Sequence, residues 1–407
     1  MKILVVCQYY HPEPVRITDI CEELVKKGHE VTVLTDIPNY PMGNIYKGYE
    51  KGKRRIETIN GVNVHRCYTI PRKTNAIMRF LNYHSFSFFS KRYINNLDDD
   101  FDVVLVNQLS PVMMANAAIK YKKKNNRKVI MYCLDIWPES LSAGGIKKNS
   151  LIYKIYYKIS KKIYTNMDKI LVTSKSFIKY FKETFNIEET DMDYLPQYAE
   201  SLFDREKCIK KEDNKIDLLF AGNIGKAQSI DTIIDAAKLL KDNKKLFFHI
   251  VGDGQELERL KNRVKELKLD NVKFYGRKPL EEMPNYYKMA DAMLVTLCGD
   301  SLISSTLPGK VQTYMASGKP IIASANGETK QVIEEAKCGY CSKADNAKDL
   351  ALNIEEFIKN KNKDKLGENA YNYYKDKFDK SIFIDRLIIE LEGSADKWVY
   401  LKEKHYW

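Results

Sequence analysis

The stretch KIDLLFAGNIGKAQSIDTIIDAA, residues 215–237, decides the fold that the sequence predicts. It opens as an apolar strand, turns at two glycines and continues with apolar residues at helical spacing. Strands and helices already alternate through the first 200 residues, beginning with KILVVCQYY at 2–10, so the pattern starts again here. Such alternation is typical of a mostly parallel sheet with helices on both faces. The sequence therefore predicts two consecutive α/β domains.

The boundary between the two domains falls in the polar and charged segment 196–214, which has the composition of a linker. We place the first domain at 1–200 and the second at 201–380. In open α/β sheets, ligands bind beyond the carboxyl ends of the strands, and two such domains facing each other would form a cleft. We therefore expect the binding residues to follow the strands.

The composition fits a folded protein kept in a reducing compartment. With 407 residues, 44% of them hydrophobic and 30% charged, the chain can bury two cores. No apolar run reaches the roughly 18 residues of a membrane-spanning helix, and the N-terminal residues lack the pattern of a signal peptide, so we expect a cytoplasmic protein. Of the eight cysteines, only Cys338 and Cys341 have CxxC spacing, and we interpret them as buried side chains rather than a redox pair.

Positive charge is concentrated in the first half of the chain. The net charge is +13, and residues 1–200 hold 31 Lys and Arg against 21 Asp and Glu. The segment 147–182 carries ten lysines and one acidic residue, and its lysines recur at helical spacing beside apolar residues such as Leu151 and Ile155. A solvated helix face explains this pattern, and so does attachment to an anionic bilayer. No nucleic-acid partner is expected, because no binding motif accompanies the charge.

Glycines and cations follow the strands of the second domain. FAGNIGKAQS, at 220–229, places two glycines between a strand and a helix, and glycine lets the backbone approach a ligand closely. The spacing lacks the third glycine of a dinucleotide-binding fingerprint. The candidate ligand-binding residues are those of this turn and the arginine that ends a later strand: Gly222, Asn223, Gly225, Lys226 and Arg277.

The segment TLPGKVQTYMASGKPIIAS, residues 306–324, gives the strongest signal for an anion site. Pro308 favours the start of a helix, Gly309 leaves room for a ligand, and Lys310 adds a cation beside backbone N–H groups without a helical partner. A lysine in the first turn of a helix opposes the helix dipole unless an anion binds there. A diphosphate fits this helix start, and Val311 completes the candidate segment.

Together these segments resemble the donor domain of family 4 glycosyltransferases, which have the GT-B fold. The resemblance is carried by LLFAGNIGKAQSIDTIIDAA, NVKFYGRKPLEEMPNYYKMADAMLV and TLPGKVQTYMASGKPIIAS. Two N-terminal segments, KKGHEVTVLTDIPNYPMGNIYKGY and CLDIWPESL, are similar to one branch, the capsule and O-antigen enzymes typified by N-acetylfucosaminyltransferases. The resemblance covers most of residues 1–345. It implies two Rossmann-like domains facing across a cleft, with a helix of about 381–407 packing back on the first.

The resemblance also implies a reaction. This is the retaining transfer of a sugar, such as the N-acetylated amino sugar N-acetylfucosamine, from a nucleoside-diphosphate donor to a lipid-linked acceptor. The donor would be UDP-linked, the acceptor a polyprenyl-diphosphate-linked sugar, and no metal or other cofactor would be required. The enzyme would work in bacterial surface polysaccharide synthesis on the inner face of the cell membrane, attached to anionic lipid through residues 147–182.

Several positions that carry charge in the family differ in this chain. The family has two glutamates, separated by seven residues, ahead of its small-residue helix, and the corresponding positions fall near Ser305 and Thr313. The usual arginine and lysine after the first strand of the donor domain are replaced by Asn223 and Gln228. The roles of those four groups therefore cannot be transferred to this chain.

Lys226 and Lys310 are then the cations available to the donor phosphates. Glu328, in NGETK, is the nearest acid that could bind a sugar hydroxyl, although a glutamate in the first turn of a helix also has a structural explanation. Lys310, Glu328 and Asp135 are the candidate catalytic residues.

The segment DIWPES, at 135–140, follows a buried strand of the first domain and would face the acceptor. Asp135 could orient or deprotonate the acceptor hydroxyl, or it could cap a helix. Trp137 and Glu139 would lie beside it. Arg16, in HPEPVRIT, could bind an acceptor phosphate or be a surface charge.

Other functions remain open on the sequence. A nucleoside-diphosphate-sugar epimerase shares this fold and would need an acid–base pair beside the donor sugar but no lipid acceptor. A non-catalytic scaffold could bind a membrane through the basic face of 147–182. A metal site is not favoured, because the aspartates of NLDDDFD, at 96–102, precede their strand instead of following it, as expected for a solvated turn.

Overall fold

The computed structural model describes most of the chain, namely residues 1–73, 75–97, 100–143, 145–209, 214–299 and 306–393. Three features of the sequence fall partly or wholly outside these described residues. They are two aspartates of NLDDDFD, the first of the two positions where the family has a glutamate, and the end of the segment expected to pack back on the first domain: Asp98, Asp99, Ser305 and residues 394–407.

The described residues form two compact units. The first unit contains Met1–Thr173 and Phe177–Leu195, and the chain returns to it at Ile384. The second unit contains Ser174–Ser176 and Pro196–Phe383. The change of unit between Leu195 and Pro196 lies at the start of the polar segment that the sequence indicates as a linker.

The first unit is built on an eight-stranded sheet. Its strands are β1 (Lys2–Val6), β2 (Glu30–Thr35), β3 (Ile56–Ile59), β4 (Val62–Arg66), β5 (Val103–Gln108), β6 (Lys128–Cys133), β7 (Lys169–Val172) and β8 (Met192–Tyr194). They lie in the order β3-β4-β2-β1-β5-β6-β7-β8, and every pair is parallel except the hairpin β3–β4. The central strand β1 is fully buried from Ile3 to Val6, as expected for a parallel sheet covered on both faces.

Six helices belong to this part of the chain. They are α1 (Ile17–Lys26), α2 (Ala76–Tyr93), α3 (Asn116–Asn125), α4 (Glu139–Ala143), α5 (Leu151–Tyr164) and α6 (Lys175–Phe185). The first, α1, is amphipathic and buries Ile17, Ile20 and Leu24. The basic segment 147–182 is therefore not one helix, because β7 separates α5 from α6.

The second unit is built on a six-stranded, fully parallel sheet. Its strands are β9 (Ile216–Ala221), β10 (Leu246–Val251), β11 (Val272–Gly276), β12 (Ala292–Thr296), β13 (Ile321–Ser324) and β14 (Gly339–Ser342). They lie in the order β11-β10-β9-β12-β13-β14. Successive residues of β9 alternate between two apolar layers, with Leu218 and Phe220 in one and Leu219 and Ala221 in the other.

Eight helices complete the described chain. They are α7 (Ile230–Leu239), α8 (Leu257–Glu266), α9 (Met283–Met289), α10 (Gly309–Ala316), α11 (Gly327–Ala336), α12 (Ala347–Lys359), α13 (Lys363–Lys377) and α14 (Lys380–Glu392). The last of them begins in the second unit and continues in the first from Ile384. The predicted fold class, with two parallel-sheet α/β domains, is confirmed. Cys338 is fully buried just before β14, as expected of a core residue.

Candidate functional site

The candidate site in the second unit lies where β9 ends. This strand has β10 on one side and β12 on the other, and it leads into the turn that contains Gly222 and Gly225. Gly222 has a φ of +147°, a conformation that residues with a side chain rarely adopt. Helix α10 begins at Gly309, and Pro308 precedes it in an extended conformation. The predicted helix start is therefore confirmed.

Tyr314 fixes α10 to the end of β9. Its hydroxyl accepts a hydrogen bond from Ala221 N at 2.9 Å and donates one to Ala221 O at 3.0 Å. Both groups are buried, which strengthens the bonds and disfavours their opening. Sequence reasoning missed Tyr314, although it lies one helical turn after Lys310 and so on the same face of the helix.

The ammonium group of Lys310 lies over the end of β9. Its Nζ is 3.8 Å from the centroid of the Phe220 ring, and a Cβ added to Gly222 would be 3.0 Å from Nζ. The nitrogen is buried, and no acceptor in the described part of the chain hydrogen-bonds to it. Burial lowers the pKa of Lys310 to about 7, because a charged ammonium is costly without water or a counter-charge. An anionic ligand would supply both acceptors and counter-charge.

Glycines allow the turn after β9 to pack directly on the turn after β10. Ile224 N donates to Asp253 O at 2.8 Å, which joins the two turns. A Cβ on Gly252 would lie 1.8 Å from Gly222 O, far inside van der Waals contact. The VGDG segment is therefore required for the shape of this edge of the sheet.

The other candidate residues of this edge are mostly exposed. Asn223 lies on the surface, and its Nδ2 is 3.4 Å from Gln228 Oε1. Gly225 is buried below it, and a Cβ there would meet Asn223 Nδ2 at 2.8 Å. Lys226 opens a short 3-10 turn, and Arg277 follows β11; both are exposed to solvent. Their role in binding a ligand stays a prediction.

Val311 and Thr313 make hydrogen bonds within the first turns of α10. The Val311 side chain is fully buried, and its N–H donates to Pro308 O at 2.9 Å, so it offers a ligand less than the sequence suggests. Thr313 Oγ1 donates to Gly309 O at 3.1 Å, at the second position where the family has a glutamate. The first N–H groups of α10, which belong to Gly309 and Lys310, are those that the helix geometry leaves for an anion.

Glu328 is buried in the first turn of α11. Its Oε2 accepts hydrogen bonds from the Ser174 hydroxyl and from Lys175 N, the latter at 2.8 Å. This oxygen therefore ties α11 to residues 174 and 175 of the same unit. Its proposed contact with a sugar hydroxyl stays a prediction.

Asp135 of the first unit lies after β6, as predicted. Its two oxygens accept hydrogen bonds from the hydroxyls of Ser110 and Ser140. Burial raises the pKa of Asp135, and these hydrogen bonds to the carboxylate oppose that rise. Trp137 is buried, and its Nε1 donates to Ser110 Oγ at 2.7 Å, so it orients the partner of Asp135. Because its ring is buried, Trp137 would affect a ligand indirectly, by holding Ser110 in place beside Asp135.

Glu139 is buried among partners of its own unit, and its expected contact with the acceptor stays a prediction. Its Oε1 accepts from the hydroxyls of Tyr153 at 2.8 Å and Tyr180 at 3.3 Å, and its Oε2 pairs with Lys148 at 2.7 Å. A buried carboxylate with three partners stabilises the packing of α4 against its neighbours. Arg16 is half-buried at the residue before α1, and its charge opposes the rise that burial causes in the pKa of Tyr132 on β6.

Glu13 makes a contact between two loops that sequence reasoning missed. Its Oε1 accepts from the backbone N–H groups of Asn39 at 2.7 Å and Tyr40 at 2.6 Å, and its Oε2 accepts from Tyr10 N at 3.0 Å. These bonds join the loop after β1 to the loop after β2. Burial raises the pKa of Glu13 to about 7 even though the three N–H groups favour the carboxylate. The available sequence signal was the acidic residue between two prolines in HPEP. Neither proline has a backbone N–H, so the carboxylate of Glu13 must find its donors elsewhere.

The two aspartates of the segment 96–102 that the structure describes make ordinary structural contacts. Asp100 pairs with Arg127 at 2.9 Å, and Asp102 accepts from Lys2 N at 2.7 Å. In the part of the chain that the structure describes, no group of three or more His, Cys, Asp or Glu side chains could hold a metal ion.

Two family models match consecutive parts of the chain. The model of Glycosyltransferase Family 4 matches residues 14–197, and the model of Glycosyl transferases group 1 matches residues 203–373. The chain belongs to the family 4 glycosyltransferases. The two matches correspond to the two parallel-sheet units, so the family assignment and the fold agree.

Curated relatives of this family 4 glycosyltransferase come from bacteria and archaea. The probable glycosyltransferase WbjE of Pseudomonas aeruginosa is 28% identical over 240 residues, which are 56% of this chain and 59% of that relative. The chain thus spans less than two thirds of WbjE. WcaI of Escherichia coli K12, named for colanic acid biosynthesis, is 25% identical over 352 residues, or 81% of this chain and 84% of that protein.

Solved structures support the GT-B fold of this family 4 glycosyltransferase. The crystal structure of Anabaena HepE in complex with UDP superimposes with a TM-score of 0.70 at 13% sequence identity, over 97% of this chain and 100% of that chain. At this identity the likeness shows the fold alone. None of the helices that the structure describes has the length and apolar character needed to cross a bilayer.

Proposed function

We propose that this protein transfers a sugar from a UDP-linked donor to a lipid-linked acceptor in the synthesis of a bacterial surface polysaccharide. The observation that carries the proposal is the buried Lys310 ammonium, which the start of α10 holds beside Gly222. A diphosphate brings the oxygens and the negative charge that such a cation lacks among the described residues. The family membership supports the same activity, and so does the likeness to WcaI.

The chemistry of the leaving group explains why a fixed cation is useful. As the bond between sugar and diphosphate breaks, negative charge grows on the departing phosphate. The Lys310 ammonium and the first N–H groups of α10 would stabilise that charge. Because Tyr314 already holds α10 against β9, little reorganisation would be required during the reaction. The exposed cations Lys226 and Arg277 would contact the outer oxygens of the donor.

The finer features of the donor belong to the same proposal. HepE has been crystallised with UDP and with UDP-glucose, which supports UDP as the nucleotide here. The resemblance to capsule and O-antigen enzymes supports an N-acetylated amino sugar such as N-acetylfucosamine. We propose retention of configuration by attack on the face that the leaving group departs from, with no metal or other cofactor. Glu328 would bind a hydroxyl of the donor sugar.

The acceptor half of the proposal rests on the first unit. Asp135 would orient the acceptor hydroxyl and take its proton, and Ser110 and Ser140 would hold the carboxylate in place. Arg16 would bind the phosphate of a polyprenyl-diphosphate-linked sugar. Such an acceptor lies in the cytoplasmic face of the membrane, where the lysines of 147–182 would meet anionic lipid.

A thermal-shift comparison of UDP, GDP, ADP and dTDP tests the donor half. We expect UDP to raise the melting temperature most, because a ligand that binds only the folded state stabilises it by about 2.7 kcal/mol at a concentration 100 times its Kd. A uniform absence of shift with all four nucleotides would contradict the proposal. A larger shift with another nucleotide would keep the site and change the base.

Asp135→Asn is expected to separate the acceptor half from the donor half. The variant should lose roughly 100-fold or more in transfer rate, since an amide cannot take the acceptor proton. Its UDP-induced thermal shift should stay that of the parent. Transfer is measured as UDP release with a lipid-linked acceptor, and Asp100→Asn, on an exposed ion pair, is the matched control. Equal rates for Asp135→Asn and the parent would rule out this role.

A further inference from the structure

Helix α2 has the opposite distribution of polar and apolar side chains from an ordinary surface helix. Among the side chains that the structure describes from residue 77 onward, those that are buried are polar apart from Phe86, and the exposed face carries large apolar side chains. The exposed set includes Ile77, at 73% exposure, and Phe88, at 63%, together with Phe80 and Leu81. A helix normally buries such residues, so this face is suited to an apolar partner.

The buried polar side of α2 is satisfied inside the first unit. Asn82 donates to Ile70 O at 2.8 Å and accepts from Gln8 Nε2 at 2.8 Å. Ser87 Oγ accepts from Asn116 Nδ2, also at 2.8 Å, which ties α2 to α3. Turning the helix over would break these bonds, so the outward direction of the apolar side chains is fixed by the packing.

The first turns of α5 extend the same apolar face. Leu151 is 74% exposed, and Ile152 and Ile155 are about half exposed, whereas the side chains buried in these turns are those of Tyr153 and Tyr156. His84 of α2 hydrogen-bonds to Tyr156 of α5 at 2.8 Å, which places the two helices side by side. Seven of the fourteen large apolar side chains that are exposed in the described chain lie on α2 and α5.

The charge around this face is entirely positive in the helices that form it. Neither α2, α3 nor α5 contains an acidic residue, and together they carry eleven lysines and arginines. A groove of about 420 Å³ lies beside Phe88, and its lining includes Lys91, Arg92 and Lys120. This volume and charge suit a phosphate-bearing headgroup.

We propose that the outer faces of α2 and α5 form one docking surface for an anionic bilayer, with lipid phosphates bound in the groove beside Phe88. Apolar side chains framed by cations, without acids, are the pattern that enters the boundary between headgroups and acyl chains. A second copy of this chain would bring like charges together, which disfavours a dimer through this face. The inference rests on the proposed function in one respect, the lipid-linked acceptor. It adds α2 to the membrane contact that the proposed function assigns to the lysines of 147–182.

Vesicle sedimentation with the purified full chain tests the docking surface. We expect the protein to sediment with vesicles of phosphatidylcholine and phosphatidylglycerol and to bind much less to phosphatidylcholine alone. Replacing the apolar contacts in Ile77→Ser/Phe80→Ser/Phe88→Ser should lower the partition coefficient at least about tenfold. Replacing the groove cations in Lys91→Gln/Arg92→Gln/Lys120→Gln should have an effect of similar size that disappears at high salt.

Exposed residues of the second unit provide matched controls. Leu239→Ser/Leu280→Ser/Leu352→Ser removes three apolar side chains that are 45–61% exposed, and Lys238→Gln/Lys241→Gln/Lys265→Gln removes three exposed lysines. Both controls should sediment like the parent. An unchanged partition coefficient in both α2 variants, or equal binding to neutral and anionic vesicles, would overturn the proposal. So would a concentration-dependent dimer that the apolar variant abolishes.

Nucleotide binding keeps this test separate from the proposed function. The docking variants should retain the UDP-induced thermal shift, which also shows that they are folded. If the α2 variants sediment less than the parent with anionic vesicles but no nucleotide stabilises the parent, the donor proposal fails and the docking surface stands. If UDP stabilises every variant and none sediments less than the parent, the docking surface fails and the donor proposal stands.

Discussion

Lys310→Met is expected to weaken UDP binding strongly and, at the same time, to stabilise the unliganded protein. The substitution deletes the cation that would face the diphosphate, and the loss of one charge-assisted contact should lower UDP affinity roughly 100-fold. It also removes a buried ammonium without a counter-charge in the described chain and replaces it with an apolar side chain of similar length. Urea denaturation and UDP titration of the same samples measure the two effects.

The stabilisation should depend on pH in a defined direction. The pKa of Lys310 is about 7 in the folded protein, below its usual value of 10.5, so the unfolded chain binds the extra proton between these two pH values. The free energy of unfolding of the parent should therefore rise with pH across this window, whereas that of Lys310→Met should lack this rise. The advantage of the variant should be greatest near and below pH 7, at up to about 5 kcal/mol, and should fade towards about pH 10.

A surface lysine provides the control for both measurements. Lys330, on α11, has a half-exposed side chain and a distant partner in Glu334, so Lys330→Met should change neither stability nor UDP affinity by much. If Lys310→Met bound UDP as tightly as the parent, the proposed seat of the diphosphate would be wrong. If it were less stable than the parent below pH 7, the ammonium would have a partner of its own in the fold.

Gly252→Ala is expected to have the second largest effect, on stability and on UDP binding together. The added methyl group would lie 1.8 Å from Gly222 O, and the φ of +145° at Gly252 is itself unfavourable for alanine. The two turns would have to separate, at a cost of at least about 3 kcal/mol. Because one of those turns carries Gly222, UDP affinity should fall as well. Denaturation curves and the thermal shift with UDP measure these losses.

Gly276→Ala separates backbone strain from collision. Gly276 ends the neighbouring strand β11 with a φ of +67°, and a Cβ there meets nothing within 4 Å. Only the conformational cost applies, so this variant should lose about 1 kcal/mol and retain its response to UDP. Equal losses in the two variants would show that the contact between the turns does not limit the fold.

The sequence was sufficient to predict that Gly222 and Lys310 lie at the same edge of a sheet. Gly222 follows β9, and Lys310 opens the helix that follows β12, the strand beside β9, so the rule for carboxyl ends places them at one edge. The helix start at Gly309 follows from local chemistry, since proline and glycine favour that position. The burial of the Lys310 ammonium could not be predicted in the same way. It depends on how closely Phe220 and the helix held by Tyr314 approach each other in the fold, and no local sequence pattern determines that distance.

The sequence could not reveal which face of α2 is buried. Apolar residues occur around much of this helix, so periodicity does not identify the core side. The inward direction is decided by Gln8 and Ile70, which lie elsewhere in the chain and satisfy Asn82. The partners of Glu139 could not be predicted for the same reason, because Tyr153 and Tyr180 reach its carboxylate from other helices.

The double hydrogen bond between Tyr314 and Ala221 has a consequence for how this protein can diversify. Strand end, helix start and lysine are joined into one rigid body that would grip a chemical group shared by all nucleotide sugars. Loops elsewhere at the same edge can then exchange residues and accept a new sugar without loosening that grip. New donor preferences should therefore be obtainable by grafting loops while the tyrosine and its strand are left untouched.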